Sequence, residues 1–385
     1  MSDLLQHYQT SASSKAGEAH CLPFEVYRNP AVWQEEARRI FHNDWVFICC
    51  EQELKEAGSY YAFELAGESL AIIRQDDNSF VALSNVCRHR GTPLLETGFG
   101  TTEKLIVCPY HAWAYEKNGD LKAIPLAGKN GPDKKEHCLP VFRLESWHGL
   151  LFINLNAEAE SLMQRLEGID DYLSGFDLAE FKTGNTGAEE YWQSNWKLAM
   201  ENAMESYHLF KVHKETLETT TPTRGAFYLA GSSEWSLTAG KINQPQSKLM
   251  KWLSGDYPEM YNHYVLVSLP PSFVGILTYY GFDWIQVLPI NENESFIRSG
   301  GIAKSTWGYN DKKTQEFTDA FFAEDKAICE RVQRGMNSTH TQGGKLVDME
   351  RILVDFHQYL ASRLFNSEPD TFYQSDNADM FLNPK

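Results

Sequence analysis

Two short stretches of this 385-residue sequence restrict its fold more than any other feature. Cys87-Arg88-His89 and Cys108-Pro109-Tyr110-His111 each set one thiol beside one imidazole, and 18 residues separate the two pairs. Spacings this tight belong to turns, and four soft or borderline donors brought together by two turns call for a metal. The surrounding texture is β. "SLAIIRQDDNSFVALSNVC" is two strand-like runs around an Asp-Asp-Asn turn, "AWAYEKNGDLKAIP" is another pair around Asn118-Gly119-Asp120, and "GLLFINLN" closes the region. Residues 45–156 are therefore expected to form a small antiparallel β domain that carries the metal loops between its strands.

A structural zinc accepts two Cys and two His tetrahedrally, but zinc fingers usually supply the cysteines from one segment and the histidines from another. Here each loop carries one of each. That arrangement suits a [2Fe-2S] cluster in which both loops give a thiolate to one iron and an imidazole to the other. The pattern resembles the Rieske domain, and the resemblance implies that Cys87 and Cys108 ligate one iron and His89 and His111 the other. A zinc site, or four unconnected core residues, is the alternative. Arg88 and Arg90 read as solvent or interface charges, or as cations that tune a cluster. Cys21, Cys49, Cys50, Cys138 and Cys329 have no partner spacing and read as small buried hydrophobes.

The rest of the chain is longer and mixed. "NPAVWQEEARRIFHNDW" has Pro just inside a helix start, acids expected in the first turn, and Val32, Ile40 and Phe41 on an apolar stripe. "NWKLAMENAMESYHLF" is helical in texture, the runs between Tyr261 and Ile302 read as strands of a central sheet, and "KKTQEFTDAFFAEDKAICERVQRG" and "VDMERILVDFHQYLASRLF" read as long helices. On one continuous helix Asn202, Glu205 and His208 share a face, and His213 follows five residues later. In the first long helix Asp325 falls in the middle of an arc formed by Phe317, Phe321, Phe322, Ile328, Cys329 and Val332, whereas Glu324 falls at its edge, nearer solvent. A buried carboxylate needs a cation, supplied either by an interior Arg or Lys or by a metal shared with the histidines. Two His and one carboxylate make the facial triad of non-heme Fe(II) oxygenases.

With that triad the whole chain resembles the catalytic α subunit of Rieske non-heme iron oxygenases. The matching residues are Asn195-Trp196-Lys197, Glu201-Asn202, Glu205, Tyr207-His208 and His213. The resemblance implies His208, His213 and Asp325 as ligands of a mononuclear Fe(II), with Glu205 and Asn202 as catalytic residues. It also implies a homotrimer in which Glu205, where the family usually has Asp, accepts hydrogen bonds from His208 and from His111 of the partner subunit. No Gly-rich nucleotide loop and no Cys-x4-Cys-x2-Cys run is present, so electrons are expected from an NAD(P)H-dependent flavin reductase, with or without a ferredoxin. The implied reaction is O2-dependent hydroxylation or oxidative N-demethylation of a small organic substrate. Glu rather than Asp at position 205 resembles the branch of the family that acts on quaternary ammonium compounds, and the aromatic residues Trp192, Phe210, Phe227, Tyr228, Trp235, Tyr279, Tyr280, Phe282 and Trp284 lean the same way, since several of them could line the pocket and face a cation. Oxidation of an arene or aromatic acid, and a bare electron carrier, are the alternatives.

Composition limits the partners. Lys+Arg of 35 against Asp+Glu of 52 gives a formal charge of −17 with no basic run, which argues against nucleic acid. No segment approaches the ~20 apolar residues of a membrane span, and the N-terminus lacks a signal-peptide pattern. Seven scattered cysteines suggest reduced thiols, so a cytoplasmic protein is expected. The expected architecture is α+β: residues 1–44 as an N-terminal segment and helix packing with the catalytic domain, 45–156 as the cluster domain, and 157–385 as a catalytic domain with a central antiparallel sheet flanked by helices.

Overall fold

The computed structural model describes residues 2–243, 258–304, 312–369 and 372–383. It divides into two compact units, residues 41–162 and residues 1–40 together with 163–385. The architecture is α+β.

In the smaller unit, β1 (Val46–Cys50), β2 (Ser59–Leu65), β3 (Glu68–Arg74), β4 (Phe80–Ser84), β5 (Gly98–Thr101), β9 (Val141–Trp147) and β10 (Leu150–Asn154) form a sheet in the order β1-β10-β9-β4-β3-β2-β5. All its pairings are antiparallel. The turn between β3 and β4 is held by Asp77, whose carboxylate accepts from the backbone N–H and the hydroxyl of Ser79. A second, smaller sheet joins β6 (Ile106–Val107), β7 (Ala114–Tyr115) and β8 (Leu121–Ala123). Its β7–β8 turn needs Gly119 at φ +94°, with Asn118 accepting from the N–H of Asp120. Cys87 and Cys108 lie in the apolar core of this unit with Ile73, Leu83, Ile106, Trp113 and Tyr115. The two metal loops thus grow out of packed hydrophobic structure.

In the larger unit, β11 (Thr183–Trp192), β12 (Ala226–Gly231), β13 (Ser236–Lys241), β14 (His263–Leu269), β15 (Phe273–Leu277), β16 (Gly281–Asn291), β17 (Glu294–Ala303) and β18 (Tyr373–Gln374) form an antiparallel sheet in the order β11-β17-β16-β15-β14-β13-β12-β18. The aliphatic and β-branched residues of β14 to β17 mark them as strands in the sequence. Strands β11, β12 and β13 are less legible: their Gly, Ala, Asn and Glu content is low in β propensity, and pairing with β17 and β14 makes them strands. Helix Trp196–Met204 packs on β14 to β17 and on the helices Lys312–Gly335 and Arg351–Phe365.

The N-terminal residues are tied to this unit through a buried ion pair. Asn29 caps helix Pro30–Glu36 by accepting from the N–H of Ala31, and Pro30 occupies the first turn. No acid stands in that first turn. The acid that matters is Glu36 at the other end, only 1% exposed, which accepts from Lys197 Nζ at 2.8 and 3.0 Å, from Trp196 Nε1 at 2.9 Å and from the Tyr8 hydroxyl at 3.2 Å. Lys197 is 0% exposed. Breaking such a pair strands the other charge in the interior. Lys197→Met is therefore expected to cost about 3–5 kcal/mol of unfolding free energy, measured by denaturant titration. A loss below ~1 kcal/mol would mean that Glu36 is not held as a charge.

Candidate metal centres

The first donor set is built on two copies of one turn. The carbonyl of Cys87 accepts from the N–H of Gly91, and that of Cys108 accepts from the N–H of Ala112, each 3.0 Å long. The fifth residue of each loop has positive φ, +76° at Gly91 and +58° at Ala112. These turns bury the thiols, with Cys87 2% and Cys108 3% exposed, and leave both imidazoles at the surface. Like donors come together. The Cys87 thiol lies within hydrogen-bond reach of Cys108, and the His89 and His111 rings meet edge to face with centroids 4.8 Å apart. Trp113 stacks flat on His89, 4.8 Å between centroids, and Arg90 sits over the Tyr110 ring at 5.3 Å.

The chemistry of these donors fits a cluster. Burial alone would raise the Cys108 thiol pKa, but the N–H groups of Tyr110 and His111 and the side chains of Cys87 and Thr92 outweigh it and hold the thiol below its ordinary value. The buried Tyr115 hydroxyl donates to Cys87 Sγ at 3.3 Å and accepts from the N–H of Arg88 at 3.0 Å. Among the described residues, the set of three or more metal-binding side chains whose donor atoms all lie within 4.8 Å of one another is His208, His213 and Asp325. The four loop residues therefore pair thiol with thiol and imidazole with imidazole, as two irons require, and do not surround one point as a tetrahedral zinc would.

The second set forms where a helix stops. Asn195 caps helix Trp196–Met204 by accepting from the N–H of Lys197, and the helix ends before Glu205, whose backbone is extended at φ −113°, ψ 159°. Asn202, Glu205 and His208 consequently do not share a helical face. Instead Glu205 folds back on the turn that follows. One carboxylate oxygen accepts from the N–H groups of Tyr207 and His208, and the other from His208 Nδ1 at 2.6 Å. A short helix, Leu209–Val212, then delivers His213.

Asp325 comes from helix Lys312–Gly335 and is 7% exposed. Its Oδ1 lies 2.9 Å from His213 Nε2 and 3.6 Å from His208 Nε2, and accepts from Asn202 Nδ2 at 2.8 Å. Both Nε2 atoms thus face the carboxylate while both Nδ1 atoms are bound elsewhere. The partner of His213 Nδ1 is Glu324, at 2.8 Å, which also accepts from the Thr216 hydroxyl at 2.7 Å. The helical arc placed Glu324 toward solvent, and a third of its side chain is exposed. That arc gave no hint of the bond to His213, which depends on a segment about a hundred residues away. Each histidine carries a carboxylate on the far side of its ring, the arrangement that fixes tautomer and orientation in metal-binding imidazoles.

Other expectations are corrected. Val332 is exposed rather than part of the buried arc, and Cys21 and Cys138 are only partly buried. The cavity beside the triad measures about 80 Å³, and none of the nine aromatic residues, several of which were expected to line it, does so. Its walls among the described residues are mainly Leu209, Leu217, Leu266, Ile276 and Ile285, with the rings of Tyr264 and Phe321. Trp284 instead lies against Arg298, Tyr228 is bonded to Asp355, and Phe210 and Tyr280 face solvent.

Fold and donors together define an iron oxygenase with an electron-carrying domain in the same chain. Comparison with known proteins agrees. Residues 44–143 match the Rieske [2Fe-2S] domain, and residues 182–366 match the catalytic domain of the ring hydroxylating alpha subunit. The glycine betaine monooxygenase oxygenase subunit of Chromohalobacter salexigens is 32% identical over 84% of this chain and 81% of its own. The carnitine monooxygenase oxygenase subunit of Escherichia coli is 27% identical over 89% and 94%. Among solved structures, the quaternary ammonium Rieske monooxygenase CntA superposes with a TM-score of 0.78 at 22% identity, covering 93% of this chain and 98% of that one. Naphthalene 1,2-dioxygenase from Rhodococcus sp. also gives 0.78, at 18% identity, covering 96% and 100%. The chain belongs to the Rieske non-heme iron oxygenases, as a catalytic alpha subunit with a Rieske domain and a His208/His213/Asp325 triad suited to mononuclear iron.

Two predictions follow from these donors. The Tyr115 hydroxyl stabilises extra negative charge on Cys87 Sγ, so Tyr115→Phe should lower the cluster potential. Losing about 1 kcal/mol of differential hydrogen bonding corresponds to roughly 40 mV for one electron, readable in an EPR-monitored redox titration. In the metal-free protein, burial opposes a charge on His208, but Asp325 and Glu205 outweigh it and push the imidazole pKa up to about 10. His213 is raised by Asp325 and Glu324 against its own burial. Protonated His208 therefore stabilises the metal-free fold fully below its ordinary value of 6.5, and the contribution is lost as pH rises through about 10. Iron must displace those protons, so Fe(II) affinity in chelator competition should climb across the same window. An affinity flat in pH would contradict this protonation scheme.

Proposed function

We propose that this chain is the oxygenase component of a cytoplasmic system that hydroxylates or oxidatively N-demethylates a small quaternary ammonium compound. The observation that carries the reading is the small cavity at the triad, about 80 Å³, into which the carboxylates Asp325 and Glu205 and the rings Tyr264 and Phe321 face. A dry cavity of about 150 Å³ holds one benzene ring, so this space suits the methyl-bearing end of a small molecule better than fused rings. The aromatic walls Tyr264 and Phe321 would favour a cation there. The similarity to glycine betaine and carnitine monooxygenase subunits supports the same class.

Cys87, His89, Cys108 and His111 would hold the cluster and His208, His213 and Asp325 the mononuclear iron; when bound, these groups supply electron transfer and O2 activation. The protein's own part is orientation. Asn202 holds the Asp325 carboxylate, Glu205 and Glu324 fix the two imidazoles, and aliphatic walls keep water from the reacting methyl group. The overall balance is R–H + O2 + 2 H⁺ + 2 e⁻ → R–OH + H2O; an N-hydroxymethyl product then releases formaldehyde. Electrons come from an NAD(P)H-dependent flavin reductase, with or without a ferredoxin. In a homotrimer His111 of the partner subunit would approach Glu205, making this acid the bridge between centres.

The test is a substrate panel with a surrogate reductase: trimethylammonium compounds, their neutral tert-butyl isosteres, and aromatic acids. Formaldehyde release or hydroxylation confined to the cations supports the reading, and ring hydroxylation without amine oxidation overturns it. Glu205→Ala should keep the Rieske cluster, weaken iron binding at the triad, and, with that site filled by excess Fe(II), still lower coupled turnover ~10–100-fold. Unchanged turnover would remove Glu205 from the route.

A further inference from the structure

The turn that carries Glu205 and His208 lacks the continuous hydrogen bonding of a helix, so something else must hold it. Within Glu205-Ser206-Tyr207-His208, Ser206 is the fully buried residue, at 2% exposure. Its hydroxyl lies 3.1 Å from that of Tyr264, itself 3% exposed. Tyr264 stands on β14, an interior strand paired on both sides. Its cross-strand neighbour on β13 is Gly240, and a Cβ built there would lie 2.4 Å from the Tyr264 hydroxyl oxygen and 2.5 Å from the ring carbon that bears it. Only the missing side chain at position 240 lets the phenol lie across the sheet toward Ser206. Both hydroxyl residues line the cavity with His208, His213 and Asp325.

We infer that Tyr264 and Ser206 form a hydroxyl clamp, given room by Gly240, that positions the Glu205–His208 turn and through it aims His208 Nε2 at the iron site. Tyr264, Ser206 and Gly240 are positioning residues. Burial keeps the Tyr264 phenol protonated at working pH, so one hydroxyl always has a proton to give to the other. Glu205 fixes His208 from one side of the turn, and the clamp fixes the turn itself to the sheet.

The experiment uses the full-length chain carrying its cluster, with the mononuclear site emptied and refilled with Fe(II), or with Co(II) as a spectroscopic probe. Tyr264→Phe and Ser206→Ala should each weaken metal affinity about fivefold to tenfold and change the Co(II) ligand-field spectrum. Ser206→Thr, which keeps a hydroxyl, should restore both. Gly240→Ala should reproduce the Tyr264→Phe signature although position 240 bears no polar group. The double variant Tyr264→Phe with Ser206→Ala should be no worse than either single variant, because both remove one interaction. The Rieske EPR signal and a cooperative melting transition report that each variant is folded. Wild-type affinity and an unchanged Co(II) spectrum in folded Tyr264→Phe would overturn the inference, as would additive losses in the double variant. If metal affinity is normal and only turnover falls, Tyr264 acts on substrate and not on the turn, which also overturns it.

Discussion

A carboxylate buried at Asp325 has to be neutralised, and much of the catalytic unit is arranged to do it. Two imidazoles and one amide converge on a single oxygen. These partners all lie within residues 202–213, whereas Asp325 follows about a hundred residues later, so the helices Trp196–Met204 and Lys312–Gly335 must be fixed against each other. Packing on the central sheet does part of this, and the Glu36–Lys197 pair adds a second constraint at the opposite end of helix Trp196–Met204. The N-terminal forty residues thereby belong to the same compact unit as the triad.

The two donor sets answer different electrostatic demands. At the cluster loops, backbone N–H groups and the Tyr115 hydroxyl surround sulfur, stabilising thiolate charge without adding a carboxylate. At the triad, Glu205 and Glu324 supply negative charge one ring away from the donor atoms, which makes the imidazoles stronger bases and better ligands. One site is tuned to accept and pass on an electron, the other to hold a divalent cation firmly.

The sequence exposed most of the chemistry and less of the scaffold. Cys87, His89, Cys108 and His111 were legible because their donors sit in two short loops where spacing alone implies convergence. Asp325 was legible because a charge inside an apolar arc demands a partner. The helix break at Glu205 was hidden: "ENAMESYHLF" has good helical texture, and the helix ends through a local side-chain turn, Glu205 to the N–H groups that follow it, and one tertiary bond, Ser206 to Tyr264. The bond of Glu324 to His213 was hidden too, since its partners His213 and Thr216 lie on another segment. The aromatic residues failed as pocket predictors because large rings satisfy packing anywhere in a core, as Trp284 does against Arg298 and Tyr228 beside Asp355.

Buried thiols and exposed imidazoles give the Rieske site a polarity in space. Its sulfur side is sealed inside apolar packing, whereas the nitrogen edge of His89 and His111 meets solvent beside Tyr110. A group held by these four side chains would be closed on its thiol face and open on its imidazole face, so the two loops set the one direction from which charge could reach it.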